Sequence, residues 1–249
     1  MIAIGYWLYS LGSNSISGRA AIARRHGLSI AHLQTDLHLG WERSFNRFVA
    51  RHEWLAQVLN YFYAFGYIVV TLAVLVWLYR SHARVYRSAR TVLILITLFG
   101  LASFYLYPAA PPRLVPSLGY IDTVTKFHTW GSVAEPDVAR HSNTFAAMPS
   151  LHFAWALWCG IAILICARRQ WLRALGLAYP AATFVAIIGT GNHYMLDAIA
   201  GGLIVAISFG IHRLIAGHRV PRTISRSESR RPHVIDIAAD EHLRPTPFE

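Results

Sequence analysis

The chain has 249 residues, of which 55% are hydrophobic and only 14% are charged. This balance excludes an ordinary soluble globular protein and predicts a protein of the lipid bilayer, in which each crossing needs about 20 mainly apolar residues. The formal net charge of +11 is compatible with nucleic-acid binding, but most arginines flank apolar stretches or lie in the carboxyl-terminal tail. Anionic lipid headgroups are the simpler partner for such arginines, so we expect a membrane partner and no nucleic acid.

The amino-terminal quarter fits a membrane protein least clearly. Residues 1–11 are apolar, but at about 1.5 Å per residue they cover only about half a bilayer. They either belong to a longer first span or lie in the membrane interface. We favour a shortened or misassigned first span, because an even number of spans places both termini inside with the basic tail. Apolar residues of segment 30–48 then recur at helical spacing among Arg43 and Arg47. That pattern is typical of amphipathic helices lying on the outer membrane surface.

Longer apolar stretches follow, and the arginines between them indicate their direction. By the positive-inside rule, the arginine group at 80–90 is expected to be a cytoplasmic loop, and the group at 168–173 an inner turn. Segment 111–148 is too polar and too rich in proline to cross a membrane, so we expect it outside. The predicted spans are 54–79, 91–110, 151–167, 174–189 and 194–211.

Together with the short first span, these stretches predict an all-α integral membrane protein built as a six-helix transmembrane bundle. We divide the chain into three parts. Residues 1–53 hold the short first span and the amphipathic interfacial helices, and residues 54–216 form the transmembrane bundle that carries the chemistry. Residues 217–249 are a basic cytoplasmic tail, which lacks apolar periodicity and is expected to be disordered.

Three segments carry polar groups where a membrane protein should least tolerate them, and the predicted topology places all three at the outer end of the bundle. Ionisable residues within or beside spans are energetically costly and are therefore candidates for function. The three segments are 111–113, 148–152 and 192–197.

The spacing within these segments predicts chemical roles. His193 and Asp197 are four residues apart, so on a helix they share a face, and the carboxylate can accept a hydrogen bond from one ring nitrogen. The other ring nitrogen then keeps its lone pair, as in an oriented histidine nucleophile. His152, one turn into its helix, can protonate a departing oxygen. We therefore predict that His193, His152 and Asp197 are catalytic.

Two further residues suit a phosphate group. Ser150 follows a proline at a helix start, where unpaired amides favour an anion, and Arg113 offers the planar donor fork that matches phosphate oxygens. We predict that both bind phosphate. Taken singly, each has an ordinary alternative, since Ser150 can be a helix N-cap, Arg113 a snorkelling cation and Asp197 an interfacial carboxylate. The 13 histidines show no metal-ligand spacing, so we expect neither a metal nor a cofactor.

At these segments the sequence resembles the type 2 phosphatidic acid phosphatase superfamily. Pro149, Ser150 and His152 resemble its second motif, Pro-Ser-x-His, and His193 and Asp197 resemble the end of its third motif, His-x-x-x-Asp. The resemblance implies a six-helix bundle without a metal. It also implies that His193 attacks phosphorus to form a phosphohistidine, while His152 protonates the leaving group.

Ordinary phosphatases of that superfamily carry cations that this sequence lacks. Leu106 stands where their first motif has a lysine, and Ala186 and Ile187 replace a serine and arginine pair of the third motif. Arg113 is the first-motif cation that carries over, and Lys126 or Arg140 are candidate substitutes for the others. The sequence is more similar to the inositol phosphorylceramide synthase-like branch, over residues 54–211 and in the motif segments 107–113, 147–152 and 193–197.

The resemblance implies a metal-independent lipid phosphotransferase or phosphatase acting on a phosphorylated lipid, with a small hydroxyl compound or water as acceptor. A site with few cations suits a phosphodiester, so we expect transfer of an inositol-phosphate-like headgroup. The main alternative is a phosphatase acting on phosphatidic acid or a polyprenyl (pyro)phosphate. Remoter alternatives are a bis-histidine haem protein using His152 and His193, or a non-catalytic lipid transporter. We expect a multi-pass protein of the cell membrane with an extracytoplasmic active site; the lipid, the acceptor and the oligomeric state stay open.

Overall fold

The computed structural model describes residues 16–129 and 145–217, with the side chains of residues 19–129 and 145–216. Within those ranges the protein is helical, and an isolated parallel β-bridge joins Ala109 to Ala146. The all-α expectation is therefore confirmed. The predicted first span and almost all of the basic tail lie outside the described residues, so the count of six spans stays a prediction.

Two helices precede the apolar part of the chain. Helix α1 runs from Ile16 to Asp36 and helix α2 from Glu42 to Arg51. Their exposed faces carry large apolar side chains, whereas α2 buries polar ones, including Glu42 and Asn46. Exposed apolar residues suit a helix in the membrane interface, and that location stays a prediction. The exposed apolar residues include Ile22, Leu33 and Phe48.

Apolar helices make up the rest of the fold. Helix α3 (Glu53–Tyr61), a π-helical turn (Phe62–Gly66) and helix α4 (Tyr67–Ser81) follow each other without a break. Helix α5 (Ala83–Leu106) comes next, and a one-turn helix α6 (Thr123–Lys126) lies in the polar segment after it. The last three are α7 (Leu151–Cys166), α8 (Gln170–Gly189) and α9 (Met195–Gly217).

The lengths of these helices agree with a multi-pass membrane protein. Among the described residues, four helices are long and apolar enough to cross a bilayer, and α7 is apolar but shorter. A helix needs about 20 residues to cross the hydrocarbon core of a bilayer, and the helical conformation satisfies the backbone hydrogen bonds that lipid cannot. The four are Glu53–Ser81, Ala83–Leu106, Gln170–Gly189 and Met195–Ala216.

The connection between α4 and α5 is tighter than the sequence predicts. Helix α4 ends at Ser81 and α5 begins at Ala83, so Arg84, Arg87 and Arg90 lie on the first turns of α5. The expectation of a loop around 80–90 was therefore wrong. Arginine is a good helix former, and charged side chains at a helix end do not stop the helix. The arginines still mark the end of α5 that is opposite to Leu106.

The core of the bundle lies between α4, α5, α7 and α9. Leu78, Ile96 and Trp158 are fully buried there, and the Trp158 indole N–H donates to the Ala89 carbonyl at 3.0 Å, which satisfies its polar atom. Small residues let neighbouring helices approach. A Cβ atom on Gly160 of α7 would collide with the carbonyl oxygen of Gly176 of α8, a close approach typical of membrane helix pairs.

Candidate active site

Backbone hydrogen bonds bring the three polar segments together at one end of the bundle. Residues in or next to the first segment bond to residues next to the other two, and the second segment bonds directly to the third. Their side chains are therefore held at the same level by main-chain contacts that do not depend on residue identity. These bonds run from the Ala109 amide to the Phe145 carbonyl (2.9 Å), Ala147 to Ala109 (3.1 Å), Arg113 to Gly191 (3.1 Å) and Ser150 to Asp197 (2.9 Å).

His193 lies in the turn between α8 and α9 and not on a helix. Because α9 begins at Met195, the expected sharing of a helix face between His193 and Asp197 was wrong. The chain turns here at Gly191, whose φ of 69° lies in the left-handed region that favours glycine. The imidazole Nδ1 of His193 then lies 2.8 Å from the Ala147 carbonyl oxygen and 3.3 Å from Asp197 Oδ2.

These contacts determine which nitrogen of His193 is free. A carbonyl oxygen only accepts hydrogen bonds, so the bond to Ala147 requires the proton of the neutral ring to be on Nδ1. Nε2 then carries the lone pair. It is buried and has no hydrogen-bond partner among the described residues. A buried polar atom without a partner costs free energy, so Nε2 is the atom at which we expect a ligand or a reaction.

Asp197 is fully buried in the first turn of α9. Its Oδ2 accepts the Tyr194 backbone N–H at 2.8 Å in addition to its contact with His193. A carboxylate at a helix N-terminus also interacts favourably with the helix dipole. The sequence predicts a hydrogen bond from His193 to Asp197, and in the structure the His193 ring also contacts the backbone carbonyl of Ala147. No sequence signal could reveal that carbonyl, because every residue has one.

His152 lies in the first turn of α7, where its ring centroid is 5.7 Å from that of His193. Two tyrosines enclose it: Tyr63 stacks on the ring at 4.1 Å and Tyr67 meets it edge-on at 4.4 Å. Tyr63 belongs to the π-helical turn and Tyr67 follows that turn directly; π-turns inside helices are frequent at functional sites. Sequence reasoning missed both tyrosines, because they stand in a stretch that is otherwise read as an apolar span.

Ser150 caps helix α7. Its Oγ accepts the Phe153 backbone N–H at 3.3 Å, and the residue is fully buried. This is the geometry of the ordinary alternative, a helix N-cap. The hydroxyl proton is not used in that bond and can still be donated to an anion at the helix start. Phosphate binding by Ser150 therefore stays a prediction.

Arg113 points towards the third segment and is held by two side chains that sequence reasoning missed. Its Nε donates to Asn192 Oδ1 and its Nη1 to Asp122 Oδ2, each at 2.8 Å. The side chains of Arg113 and Asp122 are each 20% exposed. Asn192 directly precedes His193, so the Arg113 guanidinium is fixed to the turn that carries the candidate nucleophile. Nη2 is the remaining edge with which the fork can meet a phosphate.

Lys126, a candidate substitute for the missing cations, is used elsewhere. Its ammonium donates to the Ala50 carbonyl at 2.6 Å and lies 4.9 Å from the centre of the Phe127 ring. Arg140 lies outside the described residues. Within the described ranges, no group of three or more histidine, cysteine, aspartate or glutamate side chains is placed to hold a metal ion.

Comparisons with known proteins identify the family of the chain. The family model of the PAP2 superfamily matches residues 28–211. Phosphoinositol dihydroceramide synthase from Bacteroides thetaiotaomicron is 27% identical in an alignment 170 positions long, which covers 62% of this chain and 55% of that relative. The chain therefore covers little more than half of the relative's length. No solved structure matches the chain. Because the family model matches most of the chain and includes all three polar segments, the protein belongs to the PAP2 superfamily.

Proposed function

We propose that the protein is a lipid phosphotransferase or phosphatase in which His193 is the nucleophile. The observation that carries this proposal is the state of the His193 ring. Its Nδ1 is held by the Ala147 carbonyl, and its buried Nε2 has no partner among the described residues. This is the arrangement that nucleophilic catalysis by histidine requires. His152, whose ring is adjacent, is the candidate general acid.

The first step forms a covalent intermediate. The lone pair of His193 Nε2 forms a bond to phosphorus while the bond from phosphorus to the leaving oxygen breaks, and His152 gives its proton to that oxygen. The imidazole of His193 becomes positively charged, and the Ala147 carbonyl and the Asp197 carboxylate stabilise it from the Nδ1 side. Arg113 and the start of α7 stabilise the phosphoryl oxygens.

The second step regenerates the enzyme. An acceptor hydroxyl attacks phosphorus, its proton passes to His152, and the bond from phosphorus to His193 breaks. Water as acceptor makes the reaction a hydrolysis. An alcohol makes it a transfer of the phosphorylated headgroup.

We favour transfer from a phosphodiester lipid, with hydrolysis of a lipid phosphate monoester as the second candidate. Arg113 is paired with Asp122, so the formal charge of the pair is zero. A site with little positive charge suits a phosphodiester, which carries about one negative charge where a monoester carries nearly two. The name of the Bacteroides relative, a phosphoinositol dihydroceramide synthase, supports an inositol-phosphate-like headgroup.

The arginine distribution supports an extracytoplasmic site. Helix α7 starts at Leu151, carries His152 in its first turn and ends at Cys166, close to Arg168 and Arg169, so the basic turn and the site are at opposite ends of the same helix. In a variant lacking Cys159 and Cys166, S117C should react with an impermeant thiol reagent in intact cells and Q170C should not. The reverse labelling would place the site on the cytoplasmic side.

The activity is tested with phosphatidylinositol labelled in its headgroup phosphate, in detergent micelles with and without a lipid alcohol. We expect labelled transfer product without matching inorganic phosphate, and diacylglycerol in equal amount. We also expect an acid-labile phosphoenzyme that depends on His193. Faster release of inorganic phosphate from phosphatidic acid, whether or not an acceptor is present, would establish the phosphatase instead.

A further inference from the structure

Side chains of the two amino-terminal helices reach the start of α9, beside the candidate nucleophile. Glu42 Oε1 accepts the Met195 backbone N–H at 2.6 Å, and Gln34 Oε1 accepts the Leu196 N–H at 3.0 Å. These amides are at the first two positions of α9 and have no partner within their own helix. The side chains therefore satisfy groups that a helix cannot satisfy itself.

The two acceptors are also joined to each other. Gln34 Nε2 donates to Glu42 Oε2 at 3.0 Å, and the Tyr120 hydroxyl donates to the same oxygen at 3.2 Å. Gln34 is 3% exposed and Glu42 is fully buried. We call Gln34 and Glu42 together the α9 clamp. With Asp197 Oδ2 on the Tyr194 amide, three consecutive amides at this helix start each have a side-chain acceptor.

Burying Glu42 is costly for a residue that only fills space. Desolvation raises its pKa from 4.5 to about 7, against the opposing effect of its hydrogen bonds. Its described partners are neutral donors and include no cation. An apolar side chain would fill the same position without that penalty. The free-energy cost of burying this carboxylate is explained if its function is to fix the geometry of the first turn of α9.

We propose that Gln34 and Glu42 are positioning residues for His193. They hold the first turn of α9, and thereby keep Asp197 and the Ala147 carbonyl together on Nδ1 of the His193 ring. This proposal rests on the proposed function of His193 as a nucleophile. It also makes the amino-terminal helices part of the active-site structure, since both clamp residues precede the first long apolar helix.

The hydrogen-bond pattern offers a direct test by exchanging the two side chains. In E42Q, an NH2 group replaces the oxygen that accepts from Gln34 Nε2, so two donors face each other. To avoid this, one of the two amide groups must rotate by 180°, and its oxygen then no longer accepts the backbone N–H. In Q34E/E42Q, each backbone N–H again has an oxygen acceptor, and the bond between the side chains forms in the opposite direction. The Tyr120 hydroxyl can accept the remaining N–H.

We expect E42Q to lower kcat and the rate of phosphoenzyme formation about 10-fold or more with little change in KM, because small displacements of reacting groups are costly. Amide hydrogen exchange in residues 193–198 should become faster. Q34E/E42Q should return both kcat and the exchange rate most of the way to their wild-type values. E53Q is the matched control, because the Glu53 carboxylate accepts from Gln57 at 3.1 Å in an exposed pair, and it should change neither measurement.

The outcomes separate the two proposals. Wild-type kcat in a folded E42Q, or a double variant as slow as E42Q, would overturn the clamp. Absence of a His193-dependent phosphoenzyme in the wild type would overturn the proposed function, while hydrogen exchange at 193–198 would still test the clamp. If E42Q does not accumulate as folded protein in the cell, Q34M replaces it in the test, because methionine keeps the side-chain length but removes the acceptor for the Leu196 N–H. A fall in kcat of about 3-fold or more in Q34M would support the clamp, and an unchanged kcat would overturn it.

Discussion

Nδ1 of His193 lies 2.8 Å from the carbonyl oxygen of Ala147, a residue 46 positions earlier in the chain. This bond joins the second polar segment to the third and determines the tautomer of the candidate nucleophile. Because it uses the backbone, no side-chain substitution at Ala147 removes it. The orientation of His193 therefore has one support that is independent of Asp197.

D197N should consequently reduce activity without abolishing it. The Ala147 carbonyl keeps the proton on Nδ1 of His193, so the lone pair stays on Nε2, but the negative charge that stabilises the imidazolium is lost. We expect kcat to fall about 10²-fold, the size typical for removal of one electrostatic stabiliser. Single-turnover phosphoenzyme formation measures it. Activity as low as that of H193A would show that the Ala147 carbonyl gives no independent support.

Substitution of the two histidines should give different losses. H193A should abolish turnover and phosphoenzyme, because no nucleophile remains. H152A should slow the first step by about 10²-fold to 10⁴-fold with a lipid substrate. An aryl phosphate, whose leaving group needs no proton, should recover part of the H152A rate. Equal losses with both substrates would show that His152 shapes the pocket and does not donate a proton.

Tyr63 should influence the activity through the stacking of its ring on His152, and not through its hydroxyl group. Y63F keeps the ring that stacks on His152 at 4.1 Å, so it should retain most of the activity. Y63L removes the stacking and should lower kcat about 10-fold with the lipid substrate, since an imidazolium interacts favourably with an aromatic face. With an aryl phosphate the difference between Y63F and Y63L should shrink. A Y63L loss of equal size on both substrates would contradict an action through His152.

Patterns in the sequence predict some residues of this site and give no signal for the others. The two candidate catalytic histidines stand out because ionisable residues are rare beside apolar stretches. Tyr63 does not, since an aromatic residue in a span is usually packing. Gln34 and Glu42 fit the polar face of an interfacial helix, and periodicity alone cannot show that this face turns inward to meet α9. The long helices were predictable because each is a long apolar stretch. The start of α5 was not, because its first turns carry arginines, which were interpreted as a loop although arginine does not end a helix.

The buried carboxylate of Glu42 predicts how stability depends on pH. Its pKa is raised from 4.5 to about 7, so the folded protein binds this proton more tightly than the unfolded chain. The stability that this proton contributes is present below pH 4.5 and is lost as the pH rises to 7. E42Q cannot lose it, so the Tm of E42Q relative to the wild type should rise between pH 5 and pH 8.

Two other titratable groups act on Glu42, and Glu42 in turn raises the pKa of a third, Tyr194. Tyr120 donates to its carboxylate, Asp197 repels it, and the phenol of Tyr194 has its own pKa raised, mainly by burial. The tyrosines stay protonated throughout this pH range, and Asp197 is present in both proteins. E53Q, at an exposed carboxylate, is the control. A Tm difference between E42Q and the wild type that does not change with pH would contradict the raised pKa of Glu42.

Asp122 should influence the choice between phosphodiester and phosphomonoester substrates. It forms an ion pair with Arg113 at 2.8 Å and also caps α6 by accepting the amides of Val124 and Thr125. D122N keeps an oxygen for the helix cap, but its amide nitrogen replaces the oxygen that accepts from Arg113 Nη1, so that hydrogen bond is lost. The formal charge of the pair rises from zero to +1. A more cationic site favours the monoester, which carries nearly two negative charges at neutral pH. We therefore expect D122N to raise kcat/KM for phosphatidic acid relative to phosphatidylinositol by about 10-fold, roughly the effect of one charge-assisted contact.

D122E keeps the charge and should leave the ratio near that of the wild type. A D122N ratio equal to the wild-type ratio would show that the negative charge of Asp122 does not set the substrate preference.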